Sequence, residues 1–484
     1  MGEEMGEENT NVKMIKYRLS LFQARASALQ SKPSPAKPVL RKSGSSLLRA
    51  IFLSSLMLGA ADMSTASEKD VKSANSISLD DAKINGIREK AVKGDADAQY
   101  QMGLMFATGR GAAQNYDEAL RWFRPAAQRG FAKAETSMGF MYANGFAVAK
   151  SDTQALYWYE KAANHGDPVA QNNLAMLYDQ GIGNQPHSRD ASKALKWYRK
   201  AAEQGVVVAQ ARLGFIYMIG EDIARNGDEA FTWTSKAARQ GHLESMANLG
   251  YLYEQGLGVK QSYAEALKWY VTAANAGSPM GEFNIAHLYQ EGLGVAKDSA
   301  LALSWYRKAA DHGMAEAWTR LASASRRGEG AVKNQAEAIR LYRIAADMGS
   351  VDAQHDLGLA YMNGDGVPQD DIEAEKRFEQ AADQGDVETQ FLLFKLYLDR
   401  YDRNGSLGAE SFFKKSANSV KAYKWLLIAK SNSIKDCKIC KTADSYLQIA
   451  DLAMTAKDIK QAKDYVIEWN TRFSKRPRKE ILPL

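Results

Sequence analysis

From Gly94 to Gln384 the apolar and polar positions of the chain recur with a period of 36 residues. The copy from Gly241 to Ala276, GHLESMANLGYLYEQGLGVKQSYAEALKWYVTAANA, shows the pattern most clearly. Its opening glycine returns at Gly94, Gly130, Gly166, Gly205, Gly241, Gly277, Gly313, Gly349 and Gly385, a step of 36 throughout except for one step of 39. A fixed period of this size marks a stack of like supersecondary units rather than one globular core.

Counting from each glycine as zero, position 4 is small (Ala98, Ala134, Ala170, Ala209, Ala353) and position 8 is a long apolar residue, from Met102 and Met138 to Leu357 and Leu393. Position 9 is Gly or Ala until Phe394, and position 12 is aromatic except at Ser325. Steps of three to five residues put these side chains on one face of a helix. A glycine at position 15, such as Gly109, Gly145 or Gly256, ends that helix as a left-handed cap. The second glycine that often follows, as in Gly256-Leu257-Gly258-Val259, makes a tight connection. No Lys-Ser or Lys-Thr follows in the arrangement of a phosphate-binding loop, so nucleotide binding is not expected.

A second helix opens on Asn115, Ser151, Asp190, Asn226, Ser262, Asp298, Asn334 and Asp370, all residues that cap helix N-termini. Glu118, Gln154, Glu229, Glu265, Glu337 and Glu373 stand three residues on, the spacing at which a capping box closes. Behind each cap comes Ala, then Trp with Tyr or Phe, then Ala-Ala, as in Ala266, Trp269, Tyr270, Ala273 and Ala274. That spacing is amphipathic, and its small residues let neighbouring helices approach closely. A single unit has too little apolar surface to offset the entropy of ordering it, so stability must come from stacking on neighbours.

These residues resemble the Sel-one-like repeat family, α/α relatives of tetratricopeptide repeats. The likeness rests on the A-x3-LG-x2-Y first helix, the G-x-G-V turn and the A-x2-WY-x2-AA second helix, over about Asp80 to Trp469. It implies an all-α superhelical solenoid of about nine helix-turn-helix repeats with terminal capping helices. The function it implies is a non-catalytic scaffold or adaptor that binds a partner protein or peptide on a concave face lined by first helices. Two other functions are compatible: a β-lactam-binding or β-lactamase-like hydrolase, which some cysteine-rich members suggest, and a cell-envelope polysaccharide or peptidoglycan assembly factor with a glycan ligand. The regular cysteines of those members are missing here.

The chain divides accordingly. Residues 1–40 are polar and Pro-containing and read as a disordered or misassigned extension. Within 41–66, Arg41, Lys42 and Arg49 precede the apolar run Ala50 to Ala61 and the small residues Ser64-Thr65-Ala66, the order of a secretory signal peptide. A periplasmic or secreted location is therefore expected, with no membrane span in the mature chain, because twelve apolar residues are too few to cross a bilayer. Residues 67–93 form an N-terminal capping helix, 94–384 eight repeats, 385–430 a degenerate ninth, and 431–484 closing helices and a tail.

Charge enters only after that cut. The full chain carries 63 Lys and Arg against 57 Asp and Glu, and residues 1–66 hold nine and five of them, which leaves 54 against 52. A near-neutral chain offers no basic footprint for nucleic acid. Chemistry is sparse as well. Cys437 and Cys440 are the only cysteines and read as a local disulfide after export. Two cysteines with no histidine nearby do not make a zinc site, and no cofactor is expected. The histidines are scattered, and His165, His242 and His312 read as turn residues beside the opening glycine.

The residues most suited to hold a partner are aromatics and histidines at positions 6 and 10, which point away from the repeat face: Tyr100, Phe140, Phe215, Tyr251, Phe283, His287 and His355. Packing between adjacent first helices would account for them equally. The seventh unit deviates, with Ser325 for the tyrosine, Leu341 for the tryptophan, and Arg326 and Arg327 ending its first helix. A hinge or a partner site is expected there, unless Trp318 refills the lost volume.

Overall fold

The computed structural model describes residues 81–181, 189–220, 223–401, 408–432 and 438–475. The proposed signal peptide at 41–66 and the extension before it lie outside the described residues, as do His187, Cys437 and the side chain of Cys440. Among the described residues there are 22 helices and no strands.

A lone helix, α1 (Asp81–Val92), precedes the first unit. Units one to five contribute the pairs α2 (Ala96–Thr108) and α3 (Tyr116–Gln128), α4 (Ala132–Asn144) and α5 (Asp152–Asn164), α6 (Pro168–Gln180) and α7 (Ala191–Glu203), α8 (Val207–Ile219) and α9 (Gly227–Arg239), α10 (Leu243–Gln255) and α11 (Tyr263–Asn275). Units six to eight contribute α12 (Pro279–Glu291) and α13 (Ser299–Asp311), α14 (Ala315–Arg327) and α15 (Gln335–Asp347), α16 (Val351–Asn363) and α17 (Asp371–Asp383). The chain ends in α18 (Val387–Tyr401), α19 (Gly408–Lys415), α20 (Ser419–Asn432), α21 (Lys438–Ala453) and α22 (Ala456–Lys475). It forms two compact units, one running to Gly277 and the other starting at Ser278.

Each helix starts and stops for a local reason. All eight N-cap side chains of the second helices accept a backbone N–H from two or three residues ahead, as Asn226 does from Glu229 and Ser262 from Glu265. The capping boxes do not close, and the reason is a competing bond. The N-cap N–H already donates across the turn to the carbonyl at position 12, for example Ser262 to Tyr253 at 2.9 Å and Asp370 to Tyr361 at 2.9 Å. The free carboxylates turn outward instead, Glu118 to Arg121 at 2.8 Å and Glu337 to Arg340 at 2.7 Å.

The first helices end on glycines with φ between 67° and 77°, except Gly181 at φ 87° and ψ 137°. The three-residue insertion of the third unit follows Gly181. The second turn glycine has a packing role: a Cβ on Gly258 would fall on the carbonyl of Gly227, and one on Gly330 would stand 2.7 Å from the carbonyl of Ser299. The turn of one unit thus seats on the start of the preceding unit's second helix.

Inside a unit, the glycine at position 9 lets an aromatic ring lie on helix backbone. A Cβ on Gly139 would be 2.6 Å from the Tyr159 ring, and one on Gly250 2.6 Å from the Tyr270 ring. Tyr270 and Phe378 are consequently almost fully buried. The ninth unit is longer than the pattern indicates, because α19 forms within its extended loop and sends Phe412 and Phe413 into the core with Phe394, Trp425 and Trp469. The final helix opens at Thr455, whose hydroxyl accepts from Asp458 N–H at 3.2 Å.

Candidate interaction surface

Most buried polar groups are spent on the junctions between units. At position 5, Gln99, Gln171, Gln210, Gln354 and Gln390 are buried and donate through Nε2 to the carbonyl of the alanine eight residues earlier, at 3.0 to 3.2 Å. The amide oxygens of three of them then accept from the residue before the next opening glycine, Gln204 at 2.8 Å, Gln240 at 2.6 Å and Gln384 at 2.8 Å. Such a satisfied buried amide fixes the register between neighbours.

In the second and sixth units a carboxylate–histidine hydrogen bond replaces the amides. Glu135, fully buried, meets His165 Nδ1 at 2.7 Å, and Glu282 meets His312 Nδ1 at 2.8 Å. His165 and His312 are therefore junction residues rather than turn residues alone. His242 is 2 % exposed and caps α10 through Ser245. Among the described residues no group of three or more His, Cys, Asp or Glu is arranged to hold a metal ion.

Position 6 belongs to the junctions as well. Thr136 donates to Asp167 at 2.9 Å, Thr319 meets Ser350 at 2.8 Å, and His355 Nδ1 meets the Thr389 hydroxyl at 2.8 Å and the Asp386 carboxylate at 3.6 Å. Burial disfavours the imidazolium, yet the Asp386 carboxylate outweighs it and holds His355 above the ordinary histidine value. Burial would raise Asp386, and the bonds from His355 and Thr389 hold it below the usual carboxylate range instead.

These contacts correct part of the expected partner set. Tyr100 is 7 % exposed, with its ring 5.9 Å from Phe123 and 5.6 Å from Phe131 of the next unit. Phe283 is half-buried, edge-on to Tyr306 at 5.1 Å. Phe215, at position 10, is 7 % exposed and lies 5.8 Å from the Arg212 guanidinium, which is itself held by Asp179. Tyr100 and Phe215 are core residues by their burial.

Position 10 otherwise stays accessible. Along units one to five it carries Leu104, Phe140, Met176, Phe215 and Tyr251; Met176 is 36 % exposed, and Leu104, Phe140 and Tyr251 are half-buried. In units six to eight it carries His287, Ser323 and Leu359, all half-buried. Met176 was missed in the sequence because methionine also fits the apolar repeat face.

In the seventh unit Arg326 and Arg327 are exposed. Arg326 lies 5.9 Å from the Tyr342 ring centroid, and Arg327 pairs with Glu329 at 2.7 Å. Leu341 is 1 % exposed, Trp318 packs on the same cluster, and the Asn334 N–H keeps its bond to the Ser325 carbonyl at 2.8 Å. Leu341 and Trp318 thus share one core cluster, and the turn keeps the backbone bond found in the other units.

The Sel1 repeat model matches residues 96–131, 132–167, 168–206, 207–242, 243–278, 279–314, 315–350, 351–386 and 409–433. The chain belongs to the Sel1 repeat family. Among solved structures it is similar to a Sel1 repeat protein from Oxalobacter formigenes, with 29 % identity over 77 % of this chain and 99 % of that one and a TM-score of 0.51. It is also similar to c5321, a protective antigen present in uropathogenic Escherichia coli strains and displaying an SLR fold, with 28 % identity over 83 % and 97 % and a TM-score of 0.44. No curated protein matches the chain. Sel1 repeats are scaffolds that mediate protein–protein contacts. No helix among the described residues is long and apolar enough to cross a membrane.

Proposed function

We propose that this Sel1 repeat protein is a non-catalytic adaptor that holds a protein or peptide partner on its first helices, through position 10 above all. The observation that carries the reading is the contrast between neighbouring positions. Positions 5 and 6 are committed to joining units, whereas position 10 changes from Leu104 to Phe140, Met176 and Tyr251 on an unchanged backbone. Rigid helices that present varied apolar side chains supply affinity by many small contacts at low ordering cost. Export through residues 41–66 belongs to the same proposal, and N-terminal sequencing of the native protein tests it. A chain that still begins before Arg41 contradicts it.

The binding surface is tested by cross-linking and capture from the native cells with wild type and a Phe140→Ala, Met176→Ala, Tyr251→Ala variant of unchanged helicity. Loss of a captured partner in the variant supports the surface. Equal capture overturns it.

A further inference from the structure

A second surface lies on the second helices of units three and four. Across units one to five, positions 27, 31 and 34 of these helices carry Arg121, Lys161, Lys200, Lys236, Arg239 and Lys268, and also Lys196, with Glu203 as the one acid. Some of that charge is cancelled. Arg121 pairs with Glu118, Lys268 with Glu265, and Lys161 lies 3.7 Å from Glu135. Lys196 and Lys200 on α7 and Lys236 and Arg239 on α9 are exposed and have no ion pair among the described residues.

These four cations form one patch. Lys196 and Lys200 are one turn apart, and Lys236 occupies the same position in its unit as Lys200 does in the one before. An ion pair between Arg199 and Glu229 at 3.1 Å joins the two helices. The ammonium groups are also held in place: Lys200 Nζ lies 4.5 Å from the Trp197 ring centroid and Lys236 Nζ 4.1 Å from that of Trp233. A cation resting on an indole keeps its charge while losing rotamer freedom, so binding an anion costs less ordering.

We propose that this patch docks an acidic segment of a partner protein, a run of Asp and Glu that lies across α7 and α9. Charge selects the occupant class, and the surroundings select among polyanions. A lipid surface would need apolar anchors, and among the described residues of 191–239 no large apolar side chain is exposed. Stacking of sugars or bases would need open ring faces, but Lys200 covers Trp197 and Trp233 is 5 % exposed. Carboxylates on a flexible peptide need neither. The site is separate from position 10, so its failure would leave the adaptor reading standing.

The test is fluorescence anisotropy of the full chain with a labelled decapeptide of alternating Glu and Ser at about 50 mM salt, where surface charges are weakly screened. Expected are saturable binding by wild type, at least about tenfold weaker binding by a Lys196→Gln, Lys200→Gln, Lys236→Gln, Arg239→Gln variant of equal helicity, and loss of binding on raising salt to about 300 mM. An Arg340→Gln, Lys376→Gln variant, whose cations are paired with Glu337 and Glu373, should bind within about twofold of wild type. No binding by wild type, or equal binding by the quadruple variant, overturns the proposal. Tighter association with phosphatidylglycerol vesicles or dextran sulfate than with the peptide overturns the choice of partner.

Discussion

Gly250 and Ala147 carry the argument at the scale of single residues. A glycine in mid-helix ordinarily costs up to about 1 kcal/mol relative to alanine. At Gly250 the sign reverses, because a Cβ would stand 2.6 Å from the Tyr270 ring and 3.1 Å from the Ala266 carbonyl. Gly250→Ala should lower stability by about 1–3 kcal/mol, read as a lower urea midpoint with an unchanged slope. Ala147 is the converse. It has φ 56° in a turn where Gly111, Gly258, Gly294, Gly330 and Gly366 have φ 67° to 77°. Left-handed backbone costs a non-glycine residue about 1–2 kcal/mol, against the smaller entropy cost of glycine. Ala147→Gly should therefore raise stability by up to about 1 kcal/mol, read as a higher urea midpoint. The position-15 glycines were legible as caps because a cap is a local signal. The position-9 glycines were not legible as ring seats, since the ring they admit comes from the other helix.

At the scale of elements, what could be read followed the range of the interaction. The glycine caps of the first helices and the N-caps of the second depend on residues a few places apart and were visible. The junction amides were not, because Gln210 bonds to Ala202 and Gln240, which lie on either side of it in different elements. The capping boxes were misread for a related reason: the N–H they required is taken by the preceding helix. Helix α19 escaped notice within an irregular loop. His355 gives this scale its pH dependence. It faces Asp386, with Glu388 and Asp356 further off, and its folded value is raised. Its contribution is complete below about pH 6.5, the unfolded value, and is lost as pH rises through the folded value. Asp386, being lowered, contributes above about pH 3.9 and loses that contribution only as pH falls through its folded value. Stability should thus decline from pH 6.5 to 8.5 in wild type and decline less in His355→Gln, as followed by thermal melts across that range.

At the scale of the molecule, the repeat separates two jobs. Positions 5 and 6 carry buried groups that bond to neighbouring repeats, by amides in some units and by carboxylate, hydroxyl or histidine groups in others. Under the proposed function, the varied side chains at position 10 carry the recognition. This separation explains why the fold was readable from the sequence almost throughout while the candidate site was readable only in part. Tyr100 and Phe215 have the composition of binding residues and the burial of core residues, and only packing distinguishes the two.

The most direct test measures stability and capture together on two variants. Gln210→Ala removes the bond to the Ala202 carbonyl, which keeps the Gly205 N–H, and the bond from the Gln240 amide, which keeps the Lys236 carbonyl, so it should cost about 1–2 kcal/mol in urea unfolding and leave capture of the native partner intact under folding conditions. The Phe140→Ala, Met176→Ala, Tyr251→Ala variant should lose capture and keep its helicity and most of its stability. Full capture by the triple variant, or loss of capture in folded Gln210→Ala, would contradict the division between joining and binding positions.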